Sequence, residues 1–412
     1  MKLMKRKIAI IGGGAAGFFA AANLDSSLYD ISIFEQNTDV LQKVKISGGG
    51  RCNVTHACFD PKELVRFYPR GNKELVSVFS KFQPGDTMAW FEEHGVPLKI
   101  ETDGRVFPES NSSQSIIDAL YSNALKKGIA VNTKVSVKDI IPKEEGYIVE
   151  TSKGEFLADI IIYTTGSSPK GMKLLAKLGH KMVSPVPSLF TFNVKDELLD
   201  GLSGTSFPDV KVKIPNLKSS ENGALLITHW GLSGPAVLKL SAWEAVRLAE
   251  VDYQFDVEIN FLNITYQEAE SYFLDFKEKH SKKTIGQSKI FPTTQRFWNR
   301  VLELNRVNKD KQLANISSKE MGMILETLCR KLFRVNGKST FKEEFVTAGG
   351  VDLKEINFKT MASKCLSNFY IAGEVLNIDA VTGGFNFQAC WSEAYLISEA
   401  LNSKSYHEKE GA

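Results

Sequence analysis

The sequence predicts an α/β protein built around a dinucleotide-binding parallel sheet, on three observations. A hydrophobic strand runs directly into Gly12-Gly13-Gly14-Ala15-Ala16-Gly17 and then into an apolar helix. Short β-branched runs alternate with longer helical stretches from Lys7 to about Gly166. A second strand, Ile31 to Phe34, ends in an acidic residue, Glu35. Strands that alternate with helical patterns make βαβ units and therefore parallel sheet.

Taken in order, Ile8 to Ile11 is the first strand, Ile31 to Phe34 the second, Ser115 to Lys127 a helix, and Ile129 to Val131 and Asp159 to Tyr163 further strands. The basic Lys2 to Lys7 and the apolar Ile8 to Ala22 mimic a secretory leader. A leader has no reason to encode a second strand closed by Glu35, so the segment is taken as strand, turn and helix. Val135 to Ile141, Tyr147 to Thr151 and Glu155 to Leu157 form an antiparallel meander joined by Lys-Glu-Glu-Gly and Ser-Lys-Gly turns. Between Ser188 and Glu258 the pattern is all-β, with strands at Phe190 to Val194, Val210 to Ile214, Ala224 to Ile227 and Tyr253 to Ile259. Tyr266 to Arg334 is helical. Phe369 to Glu374 and Gln388 to Leu401 return to strand, loop and helix.

Of 412 residues, 43% are hydrophobic and 24% charged, the mix of a globular protein large enough for two or three domains. The net charge of +3 excludes a chain that is a polyanion binder throughout. Residues 271–340, however, carry fifteen lysines and arginines against six acids, a local +9 that leaves the remainder at −6. Such an insert suits docking on phosphate, and equally a solvated lysine-rich surface. No apolar run approaches the ~20 residues that span a bilayer, so no membrane partner is expected. Five scattered cysteines, Cys52, Cys58, Cys329, Cys365 and Cys390, give neither a disulfide framework nor a zinc ribbon and fit a reducing compartment, the cytoplasm. His56, His94, His180, His280 and His407 show no metal-ligand spacing, and no metal is expected.

The first glycine loop carries the strongest chemistry. Gly12 allows the tight turn, Gly14 lets the backbone approach a pyrophosphate, Gly17 lets the helix lie on the strand, and Ala16 sits within the same turn. The helix N-terminus offers free N–H groups to phosphate. Glu35, with Gln36 beside it, is placed to accept the ribose hydroxyls, which favours an adenosine diphosphate ribose moiety over NADP. FAD and NAD share this fingerprint. A second glycine loop, Ser47-Gly48-Gly49-Gly50-Arg51-Cys52-Asn53, has no use in a bare NAD fold and points to FAD. So do Val135, Thr165 and Gly166, the strand-end pair Gly373-Glu374, and Gly383-Gly384-Phe385-Asn386, a helix N-terminus of the kind that faces a flavin.

Ile46 to Thr55, Gly104 to Pro108, Thr228 to Leu238, Val346 to Val351 and Ala372 to Leu376 together resemble the YhiN/BaiN-like flavoproteins over nearly the whole chain. The resemblance implies a discontinuous Rossmann-like FAD domain (1–189 and 342–412), interrupted by a β-barrel domain (190–262 and about 335–341) and a basic helical insert (263–334). It implies an FAD-dependent oxidoreductase that reduces a conjugated carbon–carbon double bond, with uridine of ribosomal RNA as the leading substrate and a small molecule as the alternative. The chain departs from the family at Ser167 to Met172.

Three residues are candidates for catalysis: His229 as acid or substrate ligand, Cys52 as proton donor, and Arg51 facing flavin or phosphate. Each also has a structural reading. No second fingerprint for a nicotinamide nucleotide is present, so either NAD(P)H reaches the flavin transiently through the substrate cleft or a separate reductase supplies the electrons. Cys52 and Cys58 suggest a disulfide oxidoreductase, but five residues separate them where that class has four. A flavin-bound RNA-binding factor without catalysis is the remaining rival.

Overall fold

The computed structural model describes residues 5–339 and 346–410, except for the side chains of 404–410. The domain boundary expected at 341–342 and the side chain of His407 lie outside the described residues. The chain divides into two compact units, Met1–Val186 with Lys342–Ala412, and Pro187–Phe341.

The first unit is built on a seven-stranded sheet. Its order is Ile356–Asn357, Ala362–Ser363, Phe369–Ile371, Ile160–Tyr163, Arg6–Ile11, Tyr29–Phe34 and Ala130–Asn132. The last five are parallel, with Ile10 beside both Ile162 and Ile33. The first two pair antiparallel at the edge. Ile8, Ala9 and Ile10 are fully buried, as expected of a central strand covered on both faces. Helix Ala15–Asn23 packs against the C-terminal helix Phe385–Glu410, and the ring of Phe19 lies 5.2 Å from that of Trp391. The meander is a separate antiparallel sheet of Val137–Pro142, Tyr147–Thr151 and Gly154–Ala158.

The second unit holds a closed six-stranded barrel, in the order Thr191–Val194, Gly231–Ser233, Ser219–Thr228, Ser206–Ile214, Gln254–Asn260 and Lys331–Ser339. Phe333 and Val335 point into it while Leu332 is half exposed, the alternation of a strand with one wet face. Two expectations are corrected. The 188–258 stretch is not all-β, because helices Pro235–Trp243 and Ala245–Glu250 interrupt it. Pro235 at the first helical position fixes φ for a helix start, and Ala236, Val237 and Leu240 bury an apolar side that carries no two-residue alternation. The 266–334 stretch is not helical to its end. Helices Tyr266–Lys279, Gln295–Leu304 and Ser318–Cys329 give way at Lys331 to the last barrel strand. Helices and barrel share one apolar core, in which Phe207, Phe261 and Phe297 lie ring to ring at 4.8–5.0 Å.

Candidate active site

The carboxyl ends of the central strands converge where an open α/β sheet receives its ligand. At the first strand end the turn is as tight as the sequence implies. A Cβ on Gly17 would sit 2.3 Å from the Gly12 carbonyl oxygen, so any side chain there would push the helix off the strand. Gly14 caps helix Ala15–Asn23 with no side-chain hydrogen bond and no acid follows in the first turn, which leaves N–H groups and a positive dipole end for an anion. Ala16 is buried against Gly373, whose added Cβ would lie 3.4 Å from the alanine methyl.

Glu35 is held in place by the turn it serves. Its Oε2 accepts from the Gly13 N–H at 2.9 Å, and its Oε1 accepts from Asn37 N and Nδ2 at 2.9 and 2.8 Å. A carboxylate keeps acceptor capacity beyond these three bonds. Beside it opens a cavity of about 470 Å³ that brings together Gly12, Glu35, Gln36, Val135 and Thr165, five of the residues expected to hold the nucleotide. Ser168, Lys170 and Gly171 line it as well. The stretch that departs from the family pattern is thus a wall of this cavity and then a helix, Pro169–Lys177, capped by Ser168 accepting from Gly171 N.

The second glycine loop breaks the Gln42–Gly50 segment. Gly48, Gly49 and Gly50 have φ of 58°, 67° and 83°, a left-handed run that glycine enters without steric penalty. Cβ atoms on Gly49 and Gly50 would meet nothing within 4 Å, so this backbone presents an open surface. Arg51 leaves the loop to pair with Glu101 at 2.7 Å, its guanidinium 3.9 Å from the Phe107 ring centroid. Cys52 is fully buried, and burial pushes its thiol up to about 12, so it stays protonated at neutral pH. Asn53 ties the loop to the other end of the chain, its Oδ1 accepting from Gly384 N and its Nδ2 donating to the Thr55 carbonyl, each at 3.0 Å.

Gly384 is the entry to helix Phe385–Glu410. Phe385 stacks on Phe67 at 4.3 Å and on His56 at 4.6 Å. The Asn386 amide closes a loop onto the backbone of Ala380, at 2.9 and 3.1 Å, so its side chain shapes the Gly383-Gly384 turn. At the neighbouring strand end, Glu374 accepts from Thr347 N at 3.0 Å and pairs with Lys43, and Gly166 lies against it. Gly373 N donates to Glu393 Oε2 at 2.6 Å. Glu393 is fully buried, and burial raises its carboxyl to about 8.

Sequence reasoning missed the residues that lock these parts together. Gln388 accepts from Thr55 and Thr87, Trp391 donates to Val54 O at 2.9 Å, Tyr68 donates to Phe385 O, and Arg70 pairs with the fully buried Asp379. All of these partners lie over 300 positions apart, and no local pattern marks them. His229 belongs to the second unit, exposed on the turn between Ser219–Thr228 and Gly231–Ser233. Cys52 and Cys58 are both free thiols.

The residues present fit FAD. A strand-end carboxylate borders a cavity, the first helix N-terminus offers backbone N–H groups to an anion, and open glycine backbone leads onward to a second helix N-terminus. Fold and site together define an FAD-dependent oxidoreductase. The chain belongs to the HI0933-like protein Rossmann domain family, which matches residues 6–400. It is 31% identical over 412 residues to the ribosomal RNA dihydrouridine synthase of Haemophilus influenzae, covering 95% of this chain and 98% of that one. It is 26% identical to the enzyme of the same name from Escherichia coli K12, covering 95% and 97%. It is equally 26% identical to the 3-dehydro-bile acid delta(4,6)-reductase of Clostridium scindens, covering 96% and 98%.

Proposed function

We propose that this protein reduces a conjugated carbon–carbon double bond, and that its substrate is a uridine of ribosomal RNA, which becomes dihydrouridine. The observation that carries the reading is the match to two dihydrouridine synthases over 97–98% of their length and 95% of this chain. Bound FAD would supply the hydride, renewed by NAD(P)H that visits transiently. Gly14 and the first helix would hold its pyrophosphate, Glu35 its ribose, and the Gly48–Gly50 and Gly383–Gly384 turns its far end.

A reduction of this kind also needs a proton for the adjacent carbon. We assign it to His229, an exposed imidazole with no hydrogen-bond partner among the described residues. Cys52 holds its proton too tightly, and Arg51 is engaged with Glu101.

The basic surface supports an RNA substrate in a narrower form than its charge count suggests. Arg296 donates to the Gly201 carbonyl, and Arg300 to the Glu197 carbonyl at 2.8 Å and to Asp200, so both serve the barrel. Lys282, Lys283, Lys289 and Lys309 are exposed. The Thr284–Gln312 bridge, with Gly286 N donating to Lys309 O, draws Lys282, Lys283 and Lys309 to one edge.

The test is nucleoside analysis of ribosomal RNA from cells with the gene, without it, and with His229→Ala. Dihydrouridine should disappear on deletion and fall steeply in the variant. Unchanged dihydrouridine on deletion would overturn the reading in favour of a small-molecule alkene, which the bile acid reductase relative favours at the same identity as one of the synthases.

A further inference from the structure

At the antiparallel edge of the sheet, away from the glycine loops, His180, Glu355 and Cys365 offer a nitrogen, an oxygen and a sulfur that all lie within 4.8 Å of one another. Three separate segments bring them there. His180 follows helix Pro169–Lys177, Glu355 ends a turn before strand Ile356–Asn357, and Cys365 follows strand Ala362–Ser363. We propose that this trio is a zinc site that pins the edge strands of the sheet to the helix beside them, with water as the fourth ligand.

The donor set suits the ion. Imidazole, carboxylate and thiolate are the three side-chain types that zinc takes in tetrahedral sites, at about 2.0 to 2.3 Å. Bonds of that length hold ligand atoms roughly 3.3 to 3.8 Å apart, so closure requires side-chain movement of about an ångström. Cys365 is exposed, so its thiol has room for that movement, and its side chain already hydrogen-bonds Glu355 and Ser363. His180 is 3% exposed, its Nε2 2.9 Å from Ser363 Oγ. Glu355 is fixed by accepting from Lys181 N at 2.8 Å. Ser363 Oγ also accepts from Cys365 N at 3.0 Å, which draws the cysteine backbone towards the histidine. Binding would expel the Cys365 proton to solvent and leave a neutral zinc–thiolate–carboxylate unit. Spacing along the chain hides the site, since 175 positions separate its first ligand from its second.

Protein loaded with FAD and stripped with a chelator tests this directly. Titrated with zinc against a chromophoric chelator, the wild type should take up one equivalent, and with cobalt it should develop a thiolate-to-metal charge-transfer band. Cys365→Ser should abolish the band and weaken zinc by about tenfold or more, with FAD content unchanged; Glu355→Gln should weaken zinc while keeping the band. His180→Gln carries a folding risk that the exposed Cys365 does not. Wild-type affinity no greater than that of Cys365→Ser, or a band lost in Cys58→Ser instead, would overturn the assignment.

Discussion

At the scale of single residues, two carboxylates of the first unit, Glu35 and Glu393, behave in opposite ways because their surroundings differ. Glu35 sits among backbone donors and solvent and serves as an acceptor. Glu35→Ala should therefore weaken FAD by roughly 1.5–3 kcal/mol, the worth of hydrogen bonds to a charged group, read as a ten- to hundredfold rise in Kd by flavin fluorescence. Glu393, on the C-terminal helix, is sealed against Gly373, and burial holds its proton to about pH 8 against 4.5 in the unfolded chain. Between those values the folded state binds the extra proton, so stability falls as pH rises from about 4.5 through about 8 and levels off above. Melting temperatures of Glu393→Gln, which cannot ionise, should lose that component of the pH dependence. Identical profiles for variant and wild type would show that Glu393 is not the group responsible. Glu35 was legible in the sequence because a strand-end acid after a glycine turn is a local pattern. Glu393 was not, because its burial depends on a strand end twenty residues away and on the packing of two helices.

Among elements, the two glycine loops were both visible as strings of glycine, yet the residues do different work. Gly17 is a packing requirement, since its Cβ would overlap the Gly12 carbonyl at 2.3 Å. Gly49 has room for a methyl group, and its left-handed φ costs alanine only about 1–2 kcal/mol. Gly17→Ala should accordingly lower the melting temperature of the FAD-free protein. Gly49→Ala should lower that temperature by less than Gly17→Ala does and weaken FAD as well, if the cofactor runs along this open surface as proposed. Equal losses of stability in the two would show that both glycines are merely structural. The Pro235–Trp243 helix escaped sequence reasoning for a related reason. Buried apolar runs of that length carry no periodicity that separates strand from helix, and only Gly234-Pro235 marks the start.

For the whole molecule, composition revealed that one region is basic but not which of its charges are available. Two of the fifteen cations in the basic stretch, Arg296 and Arg300, are bonded to the Glu197–Gly201 segment beside the barrel strands, where long guanidinium forks satisfy backbone carbonyls. Removing them would test folding rather than RNA binding. The exposed lysines are the informative set. If RNA phosphate docks there, replacing Lys282, Lys283, Lys289 and Lys309 with Gln should flatten the plot of log affinity against log salt by about 0.7 to 0.9 for each phosphate that the variant no longer neutralises. Melting temperature and FAD content should stay put, because none of the four is buried. The Arg296→Gln and Arg300→Gln pair should do the reverse, lowering the melting temperature with little change of slope. A slope that falls with the arginines and not with the lysines would place the RNA on the barrel side of these helices and remove the lysine edge from the binding surface.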